Sequence, residues 1–232
     1  MSRKPELIIA LDVDNLKKAK RLVDILYPTV KIFKVGSQLF TAAGAQAVSM
    51  IKKKGAKVFL DLKFYDIPNT VANAVSAAVA LRVFMLDVHI AGEAQMLKAA
   101  VQAAKKQSRH LKIKPPLIVG ITVLTSQKSG KKVRQLVLSR ARLAKKCGLD
   151  GVVASAQEAR LLRKNLGRNF SIITPGIRIK QRDCSDQKRI TSPCQAVIAG
   201  SDYLVVGRPV IKAKNPLAAA KSMLAEICQV KT

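Results

Sequence analysis

Two carboxylates and an ammonium stand within six residues in Asp61-Leu62-Lys63-Phe64-Tyr65-Asp66. Charges of both signs packed so closely at the end of a buried strand are expected to pair with one another. The carboxylates keep the lysine cationic, because a nearby anion favours the charged form of an amine. Asp61 and Lys63 are two positions apart, so on an extended backbone both project to the same side. Such a cluster is either a functional site or, more plainly, a structural ion pair that finishes a strand. Neighbouring sequence has to decide between the two.

The preceding Lys57-Val58-Phe59-Leu60 is apolar and β-branched and reads as a short buried strand. Pro68 stands where a helix begins, its fixed φ suited to the first turn. Asp61, Lys63 and Asp66 are therefore expected to leave the carboxyl end of a strand and enter a βα loop. The same alternation runs along the whole chain. Strands are expected at 7–11, 31–35, 57–60, 83–88, 117–123, 151–154, 171–173 and 203–206. Helices are expected at 16–26, 45–54, 71–81, 93–106, 133–146, 157–165 and 217–230. Eight such units predict one TIM (β/α)8 barrel domain over residues 1–232. A doubly wound open sheet is the alternative, but no Gly-x-Gly-x-x-Gly follows the first strand.

Polar residues gather at the expected strand ends: Asp12, Lys34, Asp61, Lys63, His89, Thr125, Arg178 and Arg208. Active sites of this fold occupy that face, with phosphate held by the loops after strands seven and eight. Those loops carry Gly176 with Arg178, and Gly207 with Arg208. Glycine lets backbone N–H groups approach an anion, and arginine offers a fork matched to phosphate oxygens. The pattern itself predicts a phosphorylated substrate.

Composition narrows the class. A 232-residue chain with 49% hydrophobic residues can bury a large core and is not disordered. No apolar run reaches membrane-spanning length, and Met1-Ser2-Arg3-Lys4-Pro5-Glu6 contains no signal-peptide core, so a cytoplasmic protein is expected. Cys147, Cys184, Cys194 and Cys228 form no CxxC pair or metal spacing and read as free thiols. Lys and Arg number 42 against 14 Asp and Glu, a net charge of +28 that raises the question of nucleic acid. The cations are scattered over helix faces, as in Lys17, Lys18, Lys20 and Arg21 or Lys52, Lys53 and Lys54. With 4% aromatic residues and no tryptophan there is no stacking platform, so a solvated basic surface is preferred to a nucleic-acid site.

Asp61-x-Lys63-x-x-Asp66-Ile67-Pro68-Asn69-Thr70 resembles the signature of the orotidine 5'-phosphate decarboxylase family. The Asp-x-Lys-x-x-Asp core is shared with phosphosugar decarboxylases and aldolase-like synthases, and Ile67-Pro68-Asn69-Thr70 narrows it. Further blocks similar to the family include Ile32-Phe33-Lys34-Val35-Gly36, Val123-Leu124-Thr125-Ser126, Thr174-Pro175-Gly176-Ile177-Arg178 and Asp186-Gln187-Lys188-Arg189. The resemblance extends from Ala10 to Pro209.

The resemblance implies a homodimeric, cofactor-free decarboxylase that converts orotidine 5'-phosphate to UMP. Lys63 would stabilise and protonate the substrate carbanion, held by Asp61 and by Asp66 of the partner subunit. Lys34 and Asp12 would complete the charged array and contact the ribose. Ile67 and Thr70 would cross the dimer interface, Thr125 would read the pyrimidine amide edge, and Pro175 would pack by the base. Arg178, Gln187, Gly207 and Arg208 would grip the phosphate. The similar magnesium-dependent enzymes carry a glutamate near the position of Lys34; an ammonium there would repel Mg²⁺, so no metal is expected. His89 is expected to be a hydrogen-bonded structural residue. Asp87 and Glu93 depart from the pattern, standing where neutral residues are expected, as do the short basic segment 127–132 and Ala154 in place of a cysteine.

Overall fold

Eight parallel strands pair in sequence order: β1 (Glu6–Ala10), β2 (Ile32–Gly36), β3 (Lys57–Phe64), β4 (Met85–His89), β5 (Leu117–Ile121), β6 (Gly151–Val153), β7 (Ser171–Thr174) and β8 (Tyr203–Val206). Pairing of β8 with β1 closes the barrel, giving the expected TIM (β/α)8 fold. The computed structural model describes residues 4–124, 130–178 and 191–228.

Parallel strands need crossover connections, and the helices supply them. They are α1 (Leu16–Leu26), α2 (Ser37–Ala43), α3 (Ala45–Lys53), α4 (Pro68–Ala80), α5 (Glu93–His110), α6 (Lys131–Lys146), α7 (Ala156–Leu166), α8 (Pro193–Ile198), α9 (Arg208–Ile211) and α10 (Pro216–Cys228). Local chemistry fixes several starts. Asn15 caps α1 by accepting from the Lys18 N–H, Ser155 caps α7, Ser192 and Gln195 form a capping box on α8, and Pro68 occupies the first turn of α4. None of the helices among the described residues is long and apolar enough to cross a membrane.

Alternation along the strands divides the core in two. Ile9, Phe33, Leu60, Leu86, Ile118, Val152, Ile172 and Leu204 join the helices in one large cluster outside the barrel wall. Ile8, Ile32, Phe59, Met85, Val119, Ile173, Tyr203 and Val205 form a second cluster that fills the barrel interior. Burying each such side chain contributes about 1.5–3 kcal/mol.

The structure departs from the sequence expectations in three places that matter. Residues 37–43 form an additional helix ahead of the expected one, separated from it by Gly44, whose φ of +53° suits glycine. The short helices α8 and α9 were not expected. Most consequentially, β3 runs through to Phe64, so Asp61 and Lys63 lie inside the strand rather than in the loop after it.

Candidate active site

The charged residues sit one inward step above the apolar interior. Two positions after Ala10, Ile32, Phe59 and Met85 come Asp12, Lys34, Asp61 and Asp87. They line a cavity of about 260 Å³ at the carboxyl ends of the strands. Lys63 lines the same cavity, as do Pro175 and Arg178 after β7 and Gly207 and Arg208 after β8.

Within it the charges alternate. Asp12 Oδ1 accepts from Lys34 Nζ at 3.1 Å, Lys34 Nζ lies 3.0 Å from Asp61 Oδ2, and Asp61 Oδ1 accepts from Lys63 Nζ. Burial alone would lower the Lys34 ammonium, but the Asp61 and Asp12 carboxylates outweigh it and hold it above the ordinary lysine value. Burial would likewise raise the Asp61 carboxyl. The Lys34 charge, a hydrogen bond with Asp87 and the Lys63 ammonium reverse that and hold it well below the usual carboxylate range. Lys34 and Asp61 thus stay charged although both are nearly buried.

Lys63 does not reach Asp61 by extended geometry. Its φ is +51°, a left-handed value uncommon for a side-chain-bearing residue and costing about 1–2 kcal/mol. The pairing of β3 with β4 shifts there, with Leu60 opposite Leu86 but Phe64 opposite Val88, so extra β3 residues bulge out beside Asp87. Asp87 Oδ1 accepts the Lys63 backbone N–H at 2.7 Å, a group the sheet ladder has lost. Asp87 is fully buried; burial, then the Asp61 carboxylate, push its carboxyl well above the usual range. Sequence reasoning noted Asp87 as a departure and gave it no place in the site. The signal was available, since Met85-Leu86-Asp87-Val88-His89 puts Asp87 on the inward side with Met85.

The remaining expected residues divide. Asp66, Ile67 and Thr70 are exposed on this chain, at the entrance to and in the first turn of α4. Asp66 Oδ1 accepts from the Ile67 N–H at 2.6 Å rather than meeting Lys63 of its own chain. Tyr65 and Ile67 are 61% and 66% exposed, large apolar groups beside the charged site. Arg178 is buried, and its Nε–H finds no acceptor among the described residues. Thr125 and Gln187 lie outside the described residues. His89 departs from expectation: its Nδ1 is buried without a hydrogen-bond partner among the described residues, 5.5 Å separates its ring from that of Tyr65, and burial, Arg140 and Lys63 lower its pKa.

Fold and cavity together define a (β/α)8 barrel with its candidate site at the carboxyl ends of the strands, where active sites of this fold lie. Comparison with known proteins gives the family. The sequence model described as "Orotidine 5'-phosphate decarboxylase / HUMPS family" matches residues 5–223. The chain is 46% identical over 240 residues to an orotidine 5'-phosphate decarboxylase of Moorella thermoacetica, covering 100% of this chain and 95% of that one. It is 43% identical over 237 residues to the enzyme of that name from Syntrophomonas wolfei, covering 98% and 99%. The crystal structure of orotidine 5'-phosphate decarboxylase from Lactobacillus acidophilus superposes with a TM-score of 0.84 at 33% identity, covering 96% of this chain and 99% of that one. The chain belongs to the orotidine 5'-phosphate decarboxylase / HUMPS family.

Proposed function

We propose that this protein is a carboxy-lyase that decarboxylates orotidine 5'-phosphate to UMP in de novo pyrimidine biosynthesis, without metal or organic cofactor. The carrying observation is the unbroken alternation Asp12–Lys34–Asp61–Lys63 in a cavity that also takes in Arg178 and Arg208.

The chemistry follows from the substrate. The bond from C6 to its carboxylate breaks, CO₂ leaves, and the electron pair stays on a carbon with no imine to receive it. The Lys63 ammonium stabilises that pair and then gives it a proton: an N–H bond breaks, a C6–H bond forms, and the amine recovers its proton from solvent. Asp61, anionic throughout the pH range of interest, fixes the ammonium and repels the departing carboxylate. Lys34 fills the space between Asp12 and Asp61 where a divalent cation would have to sit. This favours the metal-free reaction over a Mg²⁺-dependent one on a phosphosugar.

Arg178 supports the phosphate end, because a buried guanidinium with an unmet N–H is suited to an anion. Arg208, Gly207 and Gln187 complete that grip, Pro175 packs against the base, Thr125 reads its amide edge, and Asp12 with Lys34 holds the ribose. The protein acts as a cytoplasmic homodimer. Exposed Tyr65 and Ile67 favour this, as does Asp66, which is exposed, pairs with the Ile67 N–H rather than its own Lys63, and would serve the partner's site with Ile67 and Thr70. Nucleic acid is not a partner in this reading, the +28 charge being spread over helix faces.

Following the absorbance change from orotidine 5'-phosphate to UMP in EDTA tests the reading. Turnover undiminished by the chelator is expected. A folded protein that leaves this substrate untouched but acts on a phosphosugar with Mg²⁺ would overturn it.

A further inference from the structure

Two carboxyl side chains in hydrogen-bonding contact cannot both be ionised without severe repulsion. Asp61 and Asp87 line one cavity from neighbouring paired strands, and Asp61 is the member with two ammoniums on its oxygens. Asp87 has neither. It is 0% exposed, its Oδ1 is used by the Lys63 N–H, and its Oδ2 is buried with no donor directed at it among the described residues. From β5, Asp87 faces Val119, which brings no charge. The titratable groups facing it are Asp61 and Lys63, with His89 two positions along its own strand.

We propose that Asp87 is a neutral carboxylic acid at physiological pH, and that it positions the lysine–aspartate pair: its carbonyl oxygen takes the Lys63 N–H while its hydroxyl donates to Asp61. One side chain then spans the bulge from both ends. It holds Lys63 in its left-handed backbone conformation, and it directs Asp61 without adding a second negative charge that would compete for the ammonium. No proton is transferred in this role. A protonated acid has the same acceptor and donor as a carboxamide. The positioning part of the proposal rests on Lys63 being the acid of the reaction above; the protonation part does not.

Both parts can be tested separately. The infrared difference spectrum between wild type and Asp87→Asn at neutral pH is expected to contain the C=O stretch of one protonated carboxyl group, present only in the wild type. A difference spectrum with ionised-carboxylate bands alone would overturn the assignment, whatever the substrate. For positioning, Asp87→Asn is expected to retain most of kcat. Asp87→Leu, of similar volume but unable to hold either partner, should lose on the order of 10²-fold in kcat, the usual result of setting a reacting group about 1 Å out of place. UMP affinity should be nearly unchanged in both. Equal losses in the two variants, or a Leu variant as fast as wild type, would contradict positioning. Should the Leu variant fail to fold, the Asn variant still decides, since a required negative charge would make it as slow as a variant lacking Asp61.

Discussion

Two inward layers of the same strands differ in almost everything. The lower one contains Ile8, Ile32, Phe59, Met85 and Tyr203, nearly inaccessible and packed on one another, with Phe59 also bordering the cavity from below. One step up, Asp12, Lys34, Asp61 and Asp87 are charged or titratable and border a cavity. The strand alternation that makes the first layer dry makes the second convergent. Side chains from four neighbouring strands cannot avoid each other at the barrel mouth, so opposite charges placed there must pair. The comparison teaches that the apolar layer sets where the charges stand, and that their mutual pairing sets their protonation.

The strongest break in the upper layer is Asp61→Ala. It leaves Lys34 and Lys63 without their shared carboxylate, and kcat should fall on the order of 10²–10³-fold, as when a preorganised electrostatic partner is removed. A steady-state assay checks this. In the lower layer, Phe59→Ala should destabilise the fold by about 3–5 kcal/mol in denaturant titrations. If the apolar layer positions the charges, the variant still folded should also be slower. Lys34→Met keeps the volume but removes one cation from a buried pair, costing on the order of 3 kcal/mol at neutral pH.

Gly36→Ala sharpens the contrast, because the added Cβ would lie 2.8 Å from Lys34 Nζ. The flexible ammonium should yield, giving a small loss in melting temperature and a disproportionate loss of activity.

The smallest effect separates the two neighbouring carboxyls by pH. Asp61, held below its unfolded value near about 3.9, contributes stability present above that pH and lost as pH falls through its folded value. Asp87, held above, does the opposite: the unfolded chain releases its proton first, so this group costs stability as pH rises past about 4. Asp87→Asn removes that cost. Its melting temperature relative to wild type should therefore climb as pH rises past about 4, and a gap that stays flat would contradict the opposed shifts.

Much of this was legible in the residues. Short apolar, β-branched runs separated by helical stretches gave eight units, and Asp12, Lys34, Asp61, Lys63, Pro175, Arg178, Gly207 and Arg208 do share one cavity. What the pattern could not give was the irregular backbone. A left-handed lysine inside a strand leaves no mark on local periodicity, because it is held by Asp87 from 24 positions away. For that reason the strand was expected to end at Leu60 and Asp87 was left out of the site. Helices α8 and α9, of six and four residues, are too short for a period to declare itself. Asp66, Ile67 and Thr70 face away from their own cavity, and the proposal that they act across a dimer comes from resemblance rather than from this chain's geometry.

The central claim is that the Lys63 ammonium carries the reaction. Its most direct test is kcat for orotidine 5'-phosphate in Lys63→Ala, measured in EDTA with and without an added small primary alkylammonium ion. The account predicts that turnover collapses while UMP still binds, and that the added amine restores part of it by occupying the vacated space between Asp61 and the substrate. Turnover that survives the substitution without any added amine would contradict it.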